Sequence, residues 1–204
     1  LWGSPIVSNR GITRTFNATD NSIITATEGV SGVSIVLDDA TAGGYHNFTN
    51  LVYTLAQGEP KGRLGSDGKP VKQGRPWSGV VIITSETPIL SESENRQGLI
   101  ARVIDTNNIT WTKSAAHATE IKRMITANHG FIGRKFVDQL MLDKELNLES
   151  EYMKMTSEVD SMIEFKDNLT QRIIGKIAIF RLTANLIKKY FGYPELDVDE
   201  VTKL

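Results

Sequence analysis

The chain has 204 residues, of which 40% are hydrophobic and 23% charged, and its formal net charge is −1. Such a balance is ordinary for a folded domain and gives no global sign of nucleic-acid binding, so any such site must be local. The absence of cysteine excludes a disulfide framework, a thiol nucleophile and a thiolate zinc site, and His46, His117 and His129 lack the spacing of metal ligands.

Along the chain, Ile12 to Ala18 is a short β-type segment rich in β-branched and aromatic residues. Thr19-Asp20-Asn21 then supplies capping chemistry for a helix over Ser22 to Glu28. Gly29 and Gly32 interrupt the chain, and Val33 to Leu37 reads as a buried strand that releases Asp38 and Asp39 at its carboxyl end. Phe48, Leu51, Val52 and Leu55 fall at i, i+3, i+4 and i+7, which predicts an amphipathic helix over His46 to Gln57. Gly58 to Trp77 holds five Gly, three Pro and five basic residues against two acids, with Ser66-Asp67-Gly68 as turn chemistry. A hairpin or extended loop with its tip near Asp67 is expected there. Gly79 to Ile83, a continuous apolar run after its glycine, predicts a buried central strand ending in Thr84-Ser85-Glu86. Leu99 to Asp105 reads as a fourth strand carrying Arg102.

Beyond Thr112 the character becomes helical, over Ser114 to Ala127, Phe131 to Leu142, Leu148 to Phe165 and Leu169 to Phe191. The last of these is apolar on more than one face and is expected to be well buried. The domain reading is therefore an α/β core over 1–112 and a helical region over 113–204. No apolar run approaches the roughly eighteen residues of a membrane span. With no signal peptide at its start, the chain is expected to be cytoplasmic, and the sequons at Asn17, Asn47, Asn108 and Asn168 are read as chance.

A strand that ends in two carboxylates sets them at the crevice where open α/β sheets bind ligands. In nucleoside-triphosphate hydrolases this is the Walker B arrangement, in which the first acid holds Mg²⁺ and the second polarises the attacking water. The alternative is plain capping of a strand–turn junction. A phosphate-binding loop of the form G-x-x-x-x-G-K-[ST], whose backbone amides and Lys cradle the phosphates, is not found. The nearest imitation, Gly65-Ser66-Asp67-Gly68-Lys69-Pro70, has Arg63 for the first Gly and Pro70 for the magnesium-binding hydroxyl. Gly175-Lys176 fails because Thr170 stands where a Gly is required.

The order of these segments resembles the part of an AAA+ ATPase module that follows the phosphate loop. It is most similar to the phage and mobile-element proteins described as "superfamily II helicase and inactivated derivatives", which look like relatives of minichromosome-maintenance helicases. The segments that carry the likeness begin with Leu1-Trp2-Gly3-Ser4-Pro5, Arg14 to Thr19 and Ile35 to Asp39. They continue with Tyr53 to Gly58, Lys61-Gly62-Arg63, Thr84-Ser85-Glu86 and Gly98 to Arg102, and end with His129-Gly130 and Phe136.

The resemblance implies a fold: an incomplete, mostly parallel P-loop-type sheet lacking the P-loop strand, followed by a helical lid. It also implies that Leu1 lies downstream of a phosphate loop in a longer parent, so that the chain is a fragment inactive alone. Asp38 would hold Mg²⁺, and Asp39 would act on water. Thr84, Ser85 and Glu86 would form the sensor, and Arg102 the arginine finger that reaches a neighbouring subunit. Arg172 would be the lid arginine, with Arg181 as its rival. The basic segment, through Lys61, Arg63, Lys69, Lys72 and Arg75, would contact DNA weakly and without sequence preference. ATP and Mg²⁺ are the cofactors implied for the parent, with none expected on this fragment, and the implied assembly is a homo-oligomeric ring in DNA replication. Asp39 stands where the family more often has Glu, which leaves an inactivated, non-catalytic DNA-binding or oligomerisation module as the alternative. A two-metal nuclease built on Asp38, Asp39 and Glu86 ranks last, because it gives the basic segment and Arg102 no role.

Overall fold

The computed structural model describes residues 1–8, 11–40, 48–62, 64–68, 74–88, 90, 97–106 and 109–201. They fall into two compact units, 1–131 and 132–204.

The first unit is built on three short strands, β1 (Thr13–Thr15), β2 (Ile35–Asp38) and β3 (Val81–Ile83), in the order β1-β2-β3 and all parallel. Thr13 stands opposite Val36, and Val36 opposite Ile82. Helix α1 (Asp20–Thr27) connects β1 to β2 and starts two residues before the expected Ser22, with Thr19 as its cap: the Thr19 hydroxyl accepts from the Ser22 amide at 3.3 Å. Helix α2 (Phe48–Gln57) follows β2. Period-2 alternation turns Ile35 and Leu37 inward, where they meet Phe16, Ile23, Leu51 and Leu55 in one buried cluster.

Two elements differ from the sequence reading. β3 is not a buried central strand: among the described residues it is the edge of the sheet, with Val80 63% and Ile82 43% exposed. A continuous apolar run signals β propensity but carries no information on which faces find a partner. Leu99 to Asp105 is not a strand either. A short helix, α3 (Gln97–Ile100), ends in a turn in which the amides of Arg102 and Val103 both donate to the Leu99 carbonyl. Leu99 and Ala101 are buried all the same, and short apolar runs do not distinguish a helical turn from a strand.

Of the basic segment, the described part contains a turn at 65–68, closed by the Gly68 amide on the Gly65 carbonyl at 2.9 Å. The expected hairpin ladder, with Arg63, Lys69 and Lys72, lies outside the described residues. The neck of the segment is closed: the Trp77 amide donates to Gly58 O at 2.8 Å, and the buried indole donates to Leu55 O at 3.0 Å. Helix α4 (Ala115–Ala127), capped by Ser114, completes this unit.

The second unit is helical: α5 (Ile132–Leu142), α6 (Leu148–Met162), α7 (Asn168–Phe191) and α8 (Val198–Val201). Met155 and Val159 of α6 pack on Ile174, Ile177 and Ala178 of α7. Asn147 and Asp167 cap α6 and α7, and Gly192, at φ 64°, ends α7 in the left-handed conformation that glycine adopts without penalty. α7 is well buried at Ile174, Ile177, Ala178, Ala184 and Leu186, as expected, although Ile179 is 54% and Phe180 48% exposed. α5 is fastened to the end of α7. Asp143 accepts from Lys189 Nζ at 2.6 Å and from Tyr190 Oη at 2.8 Å, and Phe136 meets the Tyr190 ring edge-on at 5.9 Å.

Candidate functional site at the carboxyl ends of β2 and β3

Parallel pairing brings the ends of β2 and β3 side by side, and with them Asp38, Asp39 and Thr84. The Thr84 amide donates to Leu37 O at 3.1 Å and the Ala40 amide to Thr84 O at 2.8 Å, which locks the two strand ends together. Between these bonds the Thr84 hydroxyl donates to Asp38 Oδ1 at 2.8 Å and accepts the Asp39 amide at 3.0 Å. From the other side, the Phe16 amide bonds the Asp38 carbonyl at 2.7 Å. Asp38 is therefore held in register from both neighbouring strands, while its side chain is half-buried at the carboxyl end of the central strand.

Asp39 has φ 61°, the one non-glycine residue with positive φ among those described. Residues in this conformation carry local strain, and Asp and Asn tolerate it better than most. The backbone leaves the extended path there, and Asp39 is solvent-exposed. Ser85 and Glu86 follow Thr84 in an exposed turn, with the Ser85 hydroxyl bonded to Thr87 O.

Two adjacent carboxylates and a hydroxyl are hard oxygen donors. Among the described residues no group of three or more His, Cys, Asp or Glu side chains could hold a metal by itself. Mg²⁺ is commonly held by one or two carboxylates together with substrate phosphates rather than by a dedicated protein cage, so this donor set fits a Mg²⁺–nucleotide.

Arg102 stands just beyond α3. Its Nη1 donates to Gly98 O at 2.8 Å, and its guanidinium lies over the Tyr53 ring of α2, 5.2 Å from the centroid. Sequence reasoning included Tyr53 in a matching segment without giving it a role, and only packing joins it to Arg102. Arg172 lies in the second unit, exposed near the start of α7. Its rival Arg181 is not a surface residue: it is 9% exposed and paired with Asp199 at 2.7 Å. Of the five basic residues, only Lys61 and Arg75 lie among the described ones, both exposed. Arg75 sits against Gly29, where an added Cβ would stand 2.9 Å from Arg75 Cζ, so its side chain is applied to the protein's own turn.

The family described as "Domain of unknown function (DUF927)" matches residues 1–75, which include β1, β2, α2 and both acids. No functionally curated protein matches the chain. Among solved structures, the chain is similar to one described as "SCCmec type IV Cch - active helicase", with a TM-score of 0.80 and 23% sequence identity. The similarity covers 98% of this chain and 36% of that one, so the chain spans little more than a third of that protein's length. At this identity the likeness is one of fold, a small parallel sheet joined to many helices.

Proposed function

We propose that this chain forms the acid-pair and sensor portion of a helicase-like, ATP-dependent DNA translocase of a phage or mobile genetic element, acting in DNA replication. The observation that carries the reading is the Thr84 hydroxyl bridging Asp38 and the Asp39 amide at the carboxyl ends of adjacent parallel strands. Support comes from the fold shared with a protein described as an active helicase.

In this reading Asp38, oriented by Thr84, binds the magnesium of the incoming nucleotide. Asp39, set apart by its backbone turn, accepts a hydrogen bond from the attacking water. Thr84, Ser85 and Glu86 sense the terminal phosphate, and Arg102 meets the nucleotide of an adjacent subunit. Arg172 takes the lid-arginine role, and the basic segment with Lys61, Arg63, Lys69, Lys72 and Arg75 follows the DNA backbone. Mg²⁺–ATP supplies the transferable phosphoryl group and the charge neutralisation on which such transfer depends. No G-x-x-x-x-G-K-[ST] motif occurs in this sequence, and in this reading the phosphate-cradling loop lies in the longer parent.

The test is ATP turnover by the purified chain and by a longer protein that joins it to a phosphate loop. The chain alone is expected to hydrolyse at the background rate. In the longer protein, Asp39→Ala is expected to abolish hydrolysis while retaining nucleotide binding. Robust turnover by the chain alone, lost in Asp38→Ala, would contradict the division of labour. A longer protein that binds DNA and assembles without any turnover would favour the non-catalytic module.

A further inference from the structure

Arg102 is held in a way that its place in the sequence does not require. It follows α3 on an exposed turn, where a long side chain normally samples many rotamers. Here one guanidinium nitrogen is tied to Gly98 O, and the guanidinium carbon lies over the Tyr53 ring of α2, 5.2 Å from its centroid. Gly98 makes this arrangement sterically feasible: a Cβ there would stand 2.9 Å from Tyr53 Oη and 3.4 Å from Arg102 Nη1. The buried Leu99 and Ala101 anchor the turn on either side of Ile100, so the base of the side chain is fixed as well.

We propose that Tyr53 is a positioning residue for Arg102, holding its guanidinium so that the outward N–H groups meet a phosphoryl oxygen brought by another molecule. The proposal rests on the reading of Arg102 as a finger. A guanidinium already fixed on an aromatic face loses less conformational freedom on meeting an anion, so more of the interaction appears as stabilisation of the developing charge. A cation–π contact uses none of the guanidinium N–H donors, so those other than the one bonded to Gly98 O can turn to an anion. Tyr53 touches neither substrate nor metal in this arrangement, and acts through Arg102 alone.

The test is a double-mutant cycle in the longer protein described above, read as kcat and KM for ATP. Tyr53→Leu is expected to lower kcat about two- to fivefold, the range set by an exposed cation–π contact, with KM unchanged. Tyr53→Phe, which keeps the ring, is expected to recover the turnover lost in Tyr53→Leu. The double variant Tyr53→Leu/Arg102→Ala is expected to be no slower than Arg102→Ala, because the two residues act as one unit. If Arg102→Ala depresses kcat but Tyr53→Leu does not, or if the two losses multiply, the positioning role is overturned and the finger stands. If Arg102→Ala leaves kcat untouched, the finger reading fails and the proposal falls with it.

Should Tyr53→Leu not fold, Gly98→Ala pushes on the same ring, and side-chain NMR of the 204-residue chain provides a second measurement. The Arg102 side-chain protons are expected to carry an upfield ring-current shift that Tyr53→Phe preserves. Random-coil Arg102 side-chain shifts in the folded wild-type chain would overturn the proposal.

Discussion

The Thr84 hydroxyl donates to Asp38 Oδ1 at 2.8 Å, across 46 residues of sequence, and the same oxygen accepts the Asp39 amide at 3.0 Å. One side chain just past β3 thereby holds the Asp38 carboxylate and the Asp39 backbone at the end of β2. Removing the hydroxyl but keeping the shape tests this directly. Thr84→Val is expected to lower unfolding free energy by about 1 kcal/mol, the usual net worth of an exposed hydrogen-bonded hydroxyl. Thr84→Ser is expected to restore most of it. Urea denaturation of the chain measures both, and an unchanged midpoint in Thr84→Val would remove the bridge from the account.

Asp39 pays a backbone penalty that its side chain partly explains. At φ 61° a β-branched residue meets its own carbonyl, whereas Asp and Asn are tolerated and Gly is free of the clash. Asp39→Gly is expected to leave stability equal or higher, and Asp39→Val to lower it by about 1–3 kcal/mol. Thermal melts of the two variants decide, and a stable Asp39→Val protein would show that the turn relaxes at little cost.

The neck of the basic segment depends on Gly58 and Trp77. Gly58 has φ 81°, and a Cβ there would stand 2.9 Å from the Trp77 carbonyl, so Gly58→Ala is strained in both backbone and space. Trp77 is 7% exposed and bonded to Leu55 O. Trp77→Ala is expected to cost about 3–5 kcal/mol, in line with other buried aromatic deletions. Trp77→Phe is expected to cost much less, since it forfeits the indole N–H bond and part of the packing. Guanidinium denaturation with a shared m-value separates the two; equal losses would mean that the hydrogen bond, not the packing, closes the neck.

If the basic segment contacts DNA as proposed, its charges act on DNA affinity rather than on stability. Alanine at Lys61, Arg63, Lys69 and Lys72 is expected to reduce DNA affinity and flatten its dependence on salt, because each phosphate contact adds about 0.9 to the log–log slope on duplex DNA. Such contacts carry no base information, so sequence preference should change little. An unaltered salt slope in the assembled protein would assign these charges to solvation alone.

In the helical unit, stability should decline at both ends of the pH range. Hydrogen bonds from Lys189 and then Tyr190 lower the pKa of Asp143 below 3.8. That contribution is complete above the unfolded carboxylate value and is lost as pH falls through the lower folded one. Burial, and then the bond to Asp143, push the Tyr190 hydroxyl up from 10.0 to about 12. The unfolded chain therefore releases this proton first, and stability falls as pH rises through that interval. Asp143→Asn is expected to flatten the acid limb and Tyr190→Phe the alkaline limb. Urea midpoints across pH test this, and an alkaline limb unchanged in Tyr190→Phe would clear Tyr190 of the effect.

Local pattern was enough for the longer helices of this chain. The capping residues Thr19, Ser114, Asn147 and Asp167, the apolar spacing of α2 and the glycine after α7 lie within a few residues of what they control. The strand carrying Asp38 was legible for the same reason, because alternation and a terminal acid are contiguous. Tertiary structure alone decided how these pieces meet. It paired Thr84 with Asp38, turned Asp39 to a positive φ, laid Arg102 over Tyr53 and joined Asp143 to Tyr190. It also made the Leu99 region helical and left β3 at the edge of the described sheet. Periodicity reports which residues seek burial, but the partner that buries or bonds them is chosen by chain crossings tens of residues long. The acids of the candidate site could therefore be read from the sequence, and the groups that hold them could not.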